Sequence, residues 1–162
     1  MEKHSWNSET EVGEIISALI KIHQCKNVLE IGTFKGATGA FMLDAKYTGI
    51  DISDHRDAEF KKGMKGHSFI IGNSIDVLPT LPQKSFDLIF IDSVHEFDHC
   101  MTEFKMCELL IKRGGLICFH DSIKFEGVKR VINYISMFKH FDVITLNTPE
   151  NNGFTIVKCN YK

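Results

Sequence analysis

A short apolar run, Val28-Leu-Glu-Ile31, closes on Gly32, passes through Thr33-Phe-Lys35 and reaches a second glycine at Gly36. The small residues Ala37, Thr38, Gly39 and Ala40 follow. A strand that ends in an acidic residue and a glycine, then a tight loop, is how a parallel α/β sheet presents backbone amides and one carboxylate at its strand ends. The spacing Glu30-x-Gly32-x-x-x-Gly36 differs from the Gly-x-Gly-x-x-Gly of a dinucleotide-binding turn. The chain is therefore expected to build an open parallel sheet with a ligand site of another kind.

The rest of the sequence repeats the alternation of strand and helix. Ser8-Glu-Thr-Glu11 reads as a capping box, and Val12, Ile15, Ile16, Leu19, Ile22 and His23 recur at helical spacing. A strand over 27–31 precedes a helix expected from Gly36 to Ala45, and Tyr47 to Ile50 forms a strand ending in Asp51. Ala58 to Met64 is a short basic helix, and Ser68 to Ile71 is a strand closed by Gly72-Asn73-Ser74. A helical segment then runs to Leu78, where Pro79 and Pro82 prevent its continuation. Phe86 to Ile91 is apolar almost throughout and ends in Asp92, which predicts a central strand buried on both faces. His95 to Lys112 reads as helix, Arg113-Gly114-Gly115 as a turn, and Leu116 to Phe119 as a strand ending in His120-Asp121-Ser122. Gly127 to Lys139 is helical, and the strands Phe141 to Leu146 and Phe154 to Lys158 are joined by a turn over Pro149 to Gly153. With no helix between those two, the last strand is expected to run antiparallel. The prediction is a doubly wound, seven-stranded α/β sheet in a single domain spanning residues 1–162, with residues 1–7 as a lid-like leading segment.

Composition narrows the function classes. The 162 residues are 43% apolar and 25% charged, ordinary values for a globular domain. A formal charge of -2 gives no electrostatic reason to expect nucleic acid or an anionic membrane as partner. The five cysteines are odd in number and contain no Cys-x-x-Cys pair, which fits reduced thiols in a cytoplasmic setting. No apolar run reaches membrane-spanning length.

Four acidic residues, Glu30, Asp51, Asp92 and Asp121, fall at or near the ends of predicted strands. One such residue is often only a helix cap; four in succession point to a shared crevice at the carboxyl edge of the sheet. The segment Glu30-x-Gly32-x-x-x-Gly36 resembles motif I of class I S-adenosylmethionine-dependent methyltransferases, and the resemblance extends over nearly the whole chain. It implies that Gly32, Thr33, Phe34 and Gly36 approach the methionine portion of S-adenosylmethionine and that Glu30 organises amides and water around its amino group. Asp51 would accept the ribose hydroxyls, with Ile52 beside it. Asn73 or Ser74 would bond the adenine edge, although a plain turn and helix cap explains that pair as well.

Downstream, Phe86-Asp-Leu-Ile-Phe-Ile-Asp92-Ser-Val-His95, then Lys112-Arg-Gly-Gly-Leu-Ile-Cys-Phe-His120-Asp121-Ser122, then Gly127-Val-Lys-Arg130 are similar to catechol O-methyltransferase-like enzymes. They look closer still to the sugar and antibiotic O-methyltransferases that carry an Asp-x-x-His segment and a His-Asp pair. The resemblance implies a magnesium ion held by Asp92, Asp121 and Ser122, the serine replacing a carboxamide, and places Asp92 in both the cofactor and the catalytic sets. His95 stands where the catechol enzymes place a catalytic lysine, and an imidazole there can accept the proton of a substrate hydroxyl; capping the next helix is its structural alternative. His95-Glu-Phe-Asp-His99 also matches the zinc-protease pattern literally, but that pattern needs both histidines on one helix face with a third ligand and a cleft, and here it begins just past a buried strand, with His95 at or before the helix start.

The expected activity is methyl transfer from S-adenosylmethionine to a hydroxyl of a small molecule, with divalent-metal assistance. The alternatives are a non-catalytic cofactor-binding subunit, N-methylation, or another reaction on the same cofactor. The core is nearly bare of elements that would shape an acceptor pocket. Trp6 is a candidate aromatic wall or a packing residue; the acceptor site is either open, suiting a bulky substrate, or completed by a second subunit, and a homo-oligomer is expected on that ground.

Overall fold

The computed structural model describes residues 8–160, so Trp6 and the lid-like segment 1–7 lie outside the described residues. Helix α1 spans Ser8–Ile22, which puts the expected capping box at the edge of what is described. Seven strands follow, β1 (Asn27–Ile31), β2 (Lys46–Asp51), β3 (Ser68–Ile71), β4 (Phe86–Ile91), β5 (Ile111–His120), β6 (Phe141–Leu146) and β7 (Phe154–Cys159). Between them lie α2 (Ala58–Gly63), α3 (Ser74–Val77), α4 (Phe97–Leu110) and α5 (Glu126–Ile135).

The strands form one sheet in the order β3-β2-β1-β4-β5-β7-β6. β1 pairs in parallel with both β2 and β4, and β7 runs antiparallel between β5 and β6. The chain leaves β1 towards one edge and returns at β4 to build towards the other. The order thus reverses between β1 and β4, and that reversal opens a crevice at their carboxyl ends. The sequence expectation of seven strands with an antiparallel last one holds.

Alternation along the central strands divides the core between the two faces. Leu29, Ile31, Ile89, Ile91, Ile117 and Phe119 point to a cluster closed by α4 and α5 through Phe104, Cys107, Val128 and Ile132. Val28, Leu88, Phe90, Leu116 and Cys118 point the other way, against Val12, Ile16 and Ile20 of α1 and Phe60 of α2. Each of these fully buried side chains contributes about 1.5–3 kcal/mol from loss of water contact.

Two expectations about elements fail. The segment after β1 is a chain of turns with one 3-10 turn over Gly39–Met42, where a helix from Gly36 to Ala45 was predicted. Only residues 32–45 separate β1 from β2, and the loop consumes the first half of them. Gly39 also lies so close to Glu30, Phe60 and Tyr47 that a Cβ would sit 2.7 Å from the Glu30 carboxylate. The segment is pinned to the sheet before a helix can develop. Secondly, Arg113-Gly114-Gly115 is an excursion within β5 and not a turn ahead of it. Phe86 pairs with Ile111 and Leu88 with Leu116, so the register jumps, with Gly114 at φ 76°.

Candidate active site

Gly32 follows β1 with φ 90°, and a Cβ there would collide with the Asp92 carbonyl. The loop after β1 is thereby laid directly across the end of β4, an approach only glycine allows. Phe34 is also left-handed, at φ 44°, and its amide donates to Asp51 Oδ2 at 2.7 Å. Asp51 at the end of β2 therefore fixes the loop that follows β1. Beside it opens a cavity of about 360 Å³ lined by Gly32, Phe34, Asp51, Ile52, Asn73, Ser74 and Asp92. That is within the range of roughly 300–1,000 Å³ for small-molecule sites.

Three residues expected to touch a cofactor are not among those lining this cavity. Glu30 is 1% exposed and sits beneath the loop, where the Tyr47 hydroxyl donates to its Oε2. Burial pushes its carboxyl up to about 8, with the Tyr47 hydrogen bond opposing the rise. Thr33 Oγ1 completes the group, 3.0 Å from the same hydroxyl. Gly36 borders a separate recess of about 250 Å³ with Ala37, Ala40 and Phe60. Asn73 caps α3 by accepting from the Ile75 amide at 3.1 Å, so the plain-cap account of that residue applies alongside its place in the cavity wall.

Next to the cavity, β4 and β5 bring a second group together. Asp92, His95 and Asp121 each offer an atom within 4.8 Å of the others. His95 Nε2 is 3.1 Å from Asp121 Oδ2 and 3.8 Å from Asp92 Oδ1, close enough to pair charges though not aligned as a hydrogen bond. Asp121 first and Asp92 second raise the imidazole's pKa to about 9, against the pull of burial. Burial works to raise the Asp92 pKa, but the hydrogen bonds and charges of His120 and His95 hold it below the usual carboxylate value. His120 Nδ1 lies 3.1 Å from Asp92 Oδ1, which gives His120 a supporting place behind that carboxylate. Phe125 stacks on the His95 ring, with centroids 4.2 Å apart and planes 9° from parallel.

Asp121 is held at φ 55°, a conformation that costs a residue with a side chain free energy and that clusters at functional sites. The β6–β7 turn imposes it, because the Ser122 and Ile123 amides donate to the carbonyls of Gly153 and Asn152. Ser122, expected as a third metal ligand, is buried and accepts from Thr155 Oγ1 at 2.7 Å. Among the described residues its hydroxyl makes no hydrogen bond to the Asp92 or Asp121 carboxylate.

The zinc-protease pattern dissolves in three dimensions. His95 precedes α4 and faces Asp92 and Asp121, whereas His99 on α4 faces Ser74 and Glu103. Sequence reading missed Glu103, Ser93, His99, Phe125 and Tyr47. Ser93, Phe125 and Tyr47 act through partners that helical spacing does not link, and Glu103 reaches Ser74 from far along the chain, although His99 and Glu103 are themselves an i,i+4 pair on α4.

Among the described residues no helix is long and apolar enough to cross a membrane. A family model described as a methyltransferase domain matches residues 29–122. Caffeoyl-CoA O-methyltransferase 1 of Eucalyptus globulus is 31% identical over 140 residues, covering 75% of this chain and 56% of that protein. Caffeoyl-CoA O-methyltransferase 1 of Nicotiana tabacum is 31% identical over 140 residues, covering 75% and 58%. The chain spans about half the length of the curated relatives it matches. The O-methyltransferase from Bacillus cereus, solved in complex with SAH, shares the fold at a TM-score of 0.80 and 17% identity, covering 98% of this chain and 84% of that one. With the sheet order, the glycine-laid crevice and these likenesses together, the chain belongs to the methyltransferase-domain family and has the seven-stranded, Rossmann-like methyltransferase fold.

Proposed function

We propose that the protein transfers the methyl group of S-adenosylmethionine to a hydroxyl of a small molecule. The observation that carries this reading is the double membership of Asp92, which lines the cavity and also belongs to the His95–Asp121 group. A cofactor in the cavity would thus lie against the residues able to handle an acceptor proton. The relatives' names, caffeoyl-CoA O-methyltransferases, favour a hydroxyl as the acceptor group and fit no role limited to cofactor binding.

The cavity suits the cofactor. Gly32 leaves room for close backbone approach, Asp51 retains lone pairs for the ribose hydroxyls beyond those that accept from the Phe34 and Ser53 amides, and Ile52 and Phe34 supply exposed apolar surface at the rim. Two carboxylates and an imidazole with mutually close donor atoms also suit a divalent cation. Asp92 and Asp121 would hold it. When bound, such a cation would supply positive charge that lowers the pKa of an acceptor hydroxyl. His95, with its ring stacked on Phe125, would in its unprotonated form be the group that accepts the acceptor's proton.

Calorimetry with S-adenosylmethionine, with and without Mg2+, followed by release of S-adenosylhomocysteine against a panel of hydroxylated small molecules, tests the reading. The expected result is cofactor binding in both conditions and turnover stimulated by the cation. His95→Ala should leave cofactor affinity within about twofold and lower turnover by roughly 10²–10⁴. Failure of the cofactor to bind removes the proposal; binding with unaltered turnover in His95→Ala removes His95 from the chemistry.

A further inference from the structure

His95 stands in the stretch between β4 and α4, outside any strand or helix, and its Nε2 has no aligned hydrogen bond. Its own element therefore does little to fix the ring. The segment that leads from β5 into α5 meets it on three sides instead. Asp121 Oδ2 stands 3.1 Å from Nε2 at the ring edge. Phe125 covers one face, with centroids 4.2 Å apart and planes 9° from parallel. Gly127 brings bare backbone against the His95 carbonyl, where a Cβ would sit 2.1 Å from that oxygen and 2.8 Å from the Phe97 amide nitrogen.

That segment is itself fixed. The amides of Ser122, Ile123 and Lys124 donate to the carbonyls of Gly153 and Asn152, and the Phe125 amide donates to the Asp121 carbonyl, so four successive amides are committed. Further along, the Arg130 guanidinium lies 4.0 Å from the Phe97 ring centroid, which ties the start of α5 to the start of α4. Phe125 is 37% exposed, so core packing does not account for an aromatic ring at that position. A flat ring on a fixed backbone, laid against an imidazole, restricts rotation of that imidazole about its own side-chain axis.

We propose that Phe125 is a positioning residue for the methyl transfer, its ring holding the His95 imidazole so that the Nε2 edge stays turned towards Asp92 and Asp121. The inference rests on the reading of His95 as the group that accepts the acceptor's proton. A misaligned base costs rate and leaves binding alone, because proton transfer depends on orientation within the bound complex.

The test compares the wild type with Phe125→Leu, which keeps apolar bulk without a flat face, and with Phe125→Tyr, which keeps the face. Release of S-adenosylhomocysteine is followed with catechol, caffeate and methyl rhamnoside as acceptor probes, and S-adenosylhomocysteine affinity by calorimetry. Phe125→Leu should lower kcat by about tenfold or more, with KM for the probe and cofactor affinity within about twofold. Phe125→Tyr should return kcat to within about threefold of the wild type. In a His95→Ala background, Phe125→Leu should change kcat by less than about twofold, because a residue that acts only through another has nothing left to act on. An undiminished kcat in Phe125→Leu, a Phe125→Tyr as slow as Phe125→Leu, or a full loss that persists on top of His95→Ala would overturn the inference and leave the role of His95 standing. A His95→Ala protein as fast as the wild type, or a wild type that releases product with none of the probes, would take down the reading of His95 and this inference together.

Discussion

Glu30 illustrates how a residue that reads as a ligand from sequence becomes part of the foundation in the fold. Its carboxyl is enclosed by Tyr47, Thr33 and the tightly packed Gly39, and burial raises its pKa to about 8. The unfolded chain releases this proton near 4.5. Because the folded value is the higher one, the stabilisation is complete below about pH 4.5 and is lost as pH rises through about 8. Between those limits the contribution falls by up to about 1.4 kcal/mol per pH unit. Glu30→Gln keeps an acceptor for Tyr47 and removes the titration. In urea unfolding followed from pH 5 to 9, the wild type should lose stability relative to Glu30→Gln as pH rises; parallel curves for the two proteins would show that Glu30 titrates normally.

Among the elements, β4 was legible because a strand buried on both faces must be apolar almost throughout, and Phe86 to Ile91 is. Asp51 and Asp92 were legible for the complementary reason, since an acidic residue ending such a strand has nothing to do in the core. Glu103 was not, because a glutamate in mid-helix looks the same in sequence whether it meets water or the side chains of Ser74, Ser93 and His99. The missing helix after β1 was misread because small residues between strands fit either a helix or a tight wrap, and the choice was made by Tyr47 and Phe60 arriving from elsewhere. His120 needed Asp92, far off in sequence, to define it. On the opposite side of the sheet from α1, Phe104 of α4 is 1% exposed and packs on Phe119 and Phe141 at centroid distances of 6.1 and 5.6 Å. Phe104→Ala should cost about 3–5 kcal/mol in denaturant unfolding. A loss under 1 kcal/mol would mean that α4 is held by its polar contacts and not by this ring.

At the scale of the molecule, the sheet ends at β6, whose outer edge pairs with no strand among the described residues, and apolar side chains lie exposed nearby. Met137 is 77% exposed with Tyr134 and Phe138 beside the α5 face of the sheet, and Ile144 is 59% exposed with Leu146 on the other face. Exposed apolar side chains beside a sheet edge are a common site of self-association, and on that ground we predict a homo-oligomer. Sedimentation velocity should give a species larger than 18.5 kDa, reduced to the single-chain mass by Met137→Lys. A wild type that sediments as a single chain across micromolar concentrations would refute it.

The amides of Ser122 and Ile123 hang from the carbonyls of Gly153 and Asn152, so the hairpin that finishes the sheet also aims the Asp121 carboxylate. Chain length in that hairpin is therefore a remote adjustment screw for the chemistry. Lengthening or shortening it by one residue would rotate a carboxylate without altering any side chain in the crevice, a route by which kindred proteins can diverge in reactivity while their crevice residues stay the same.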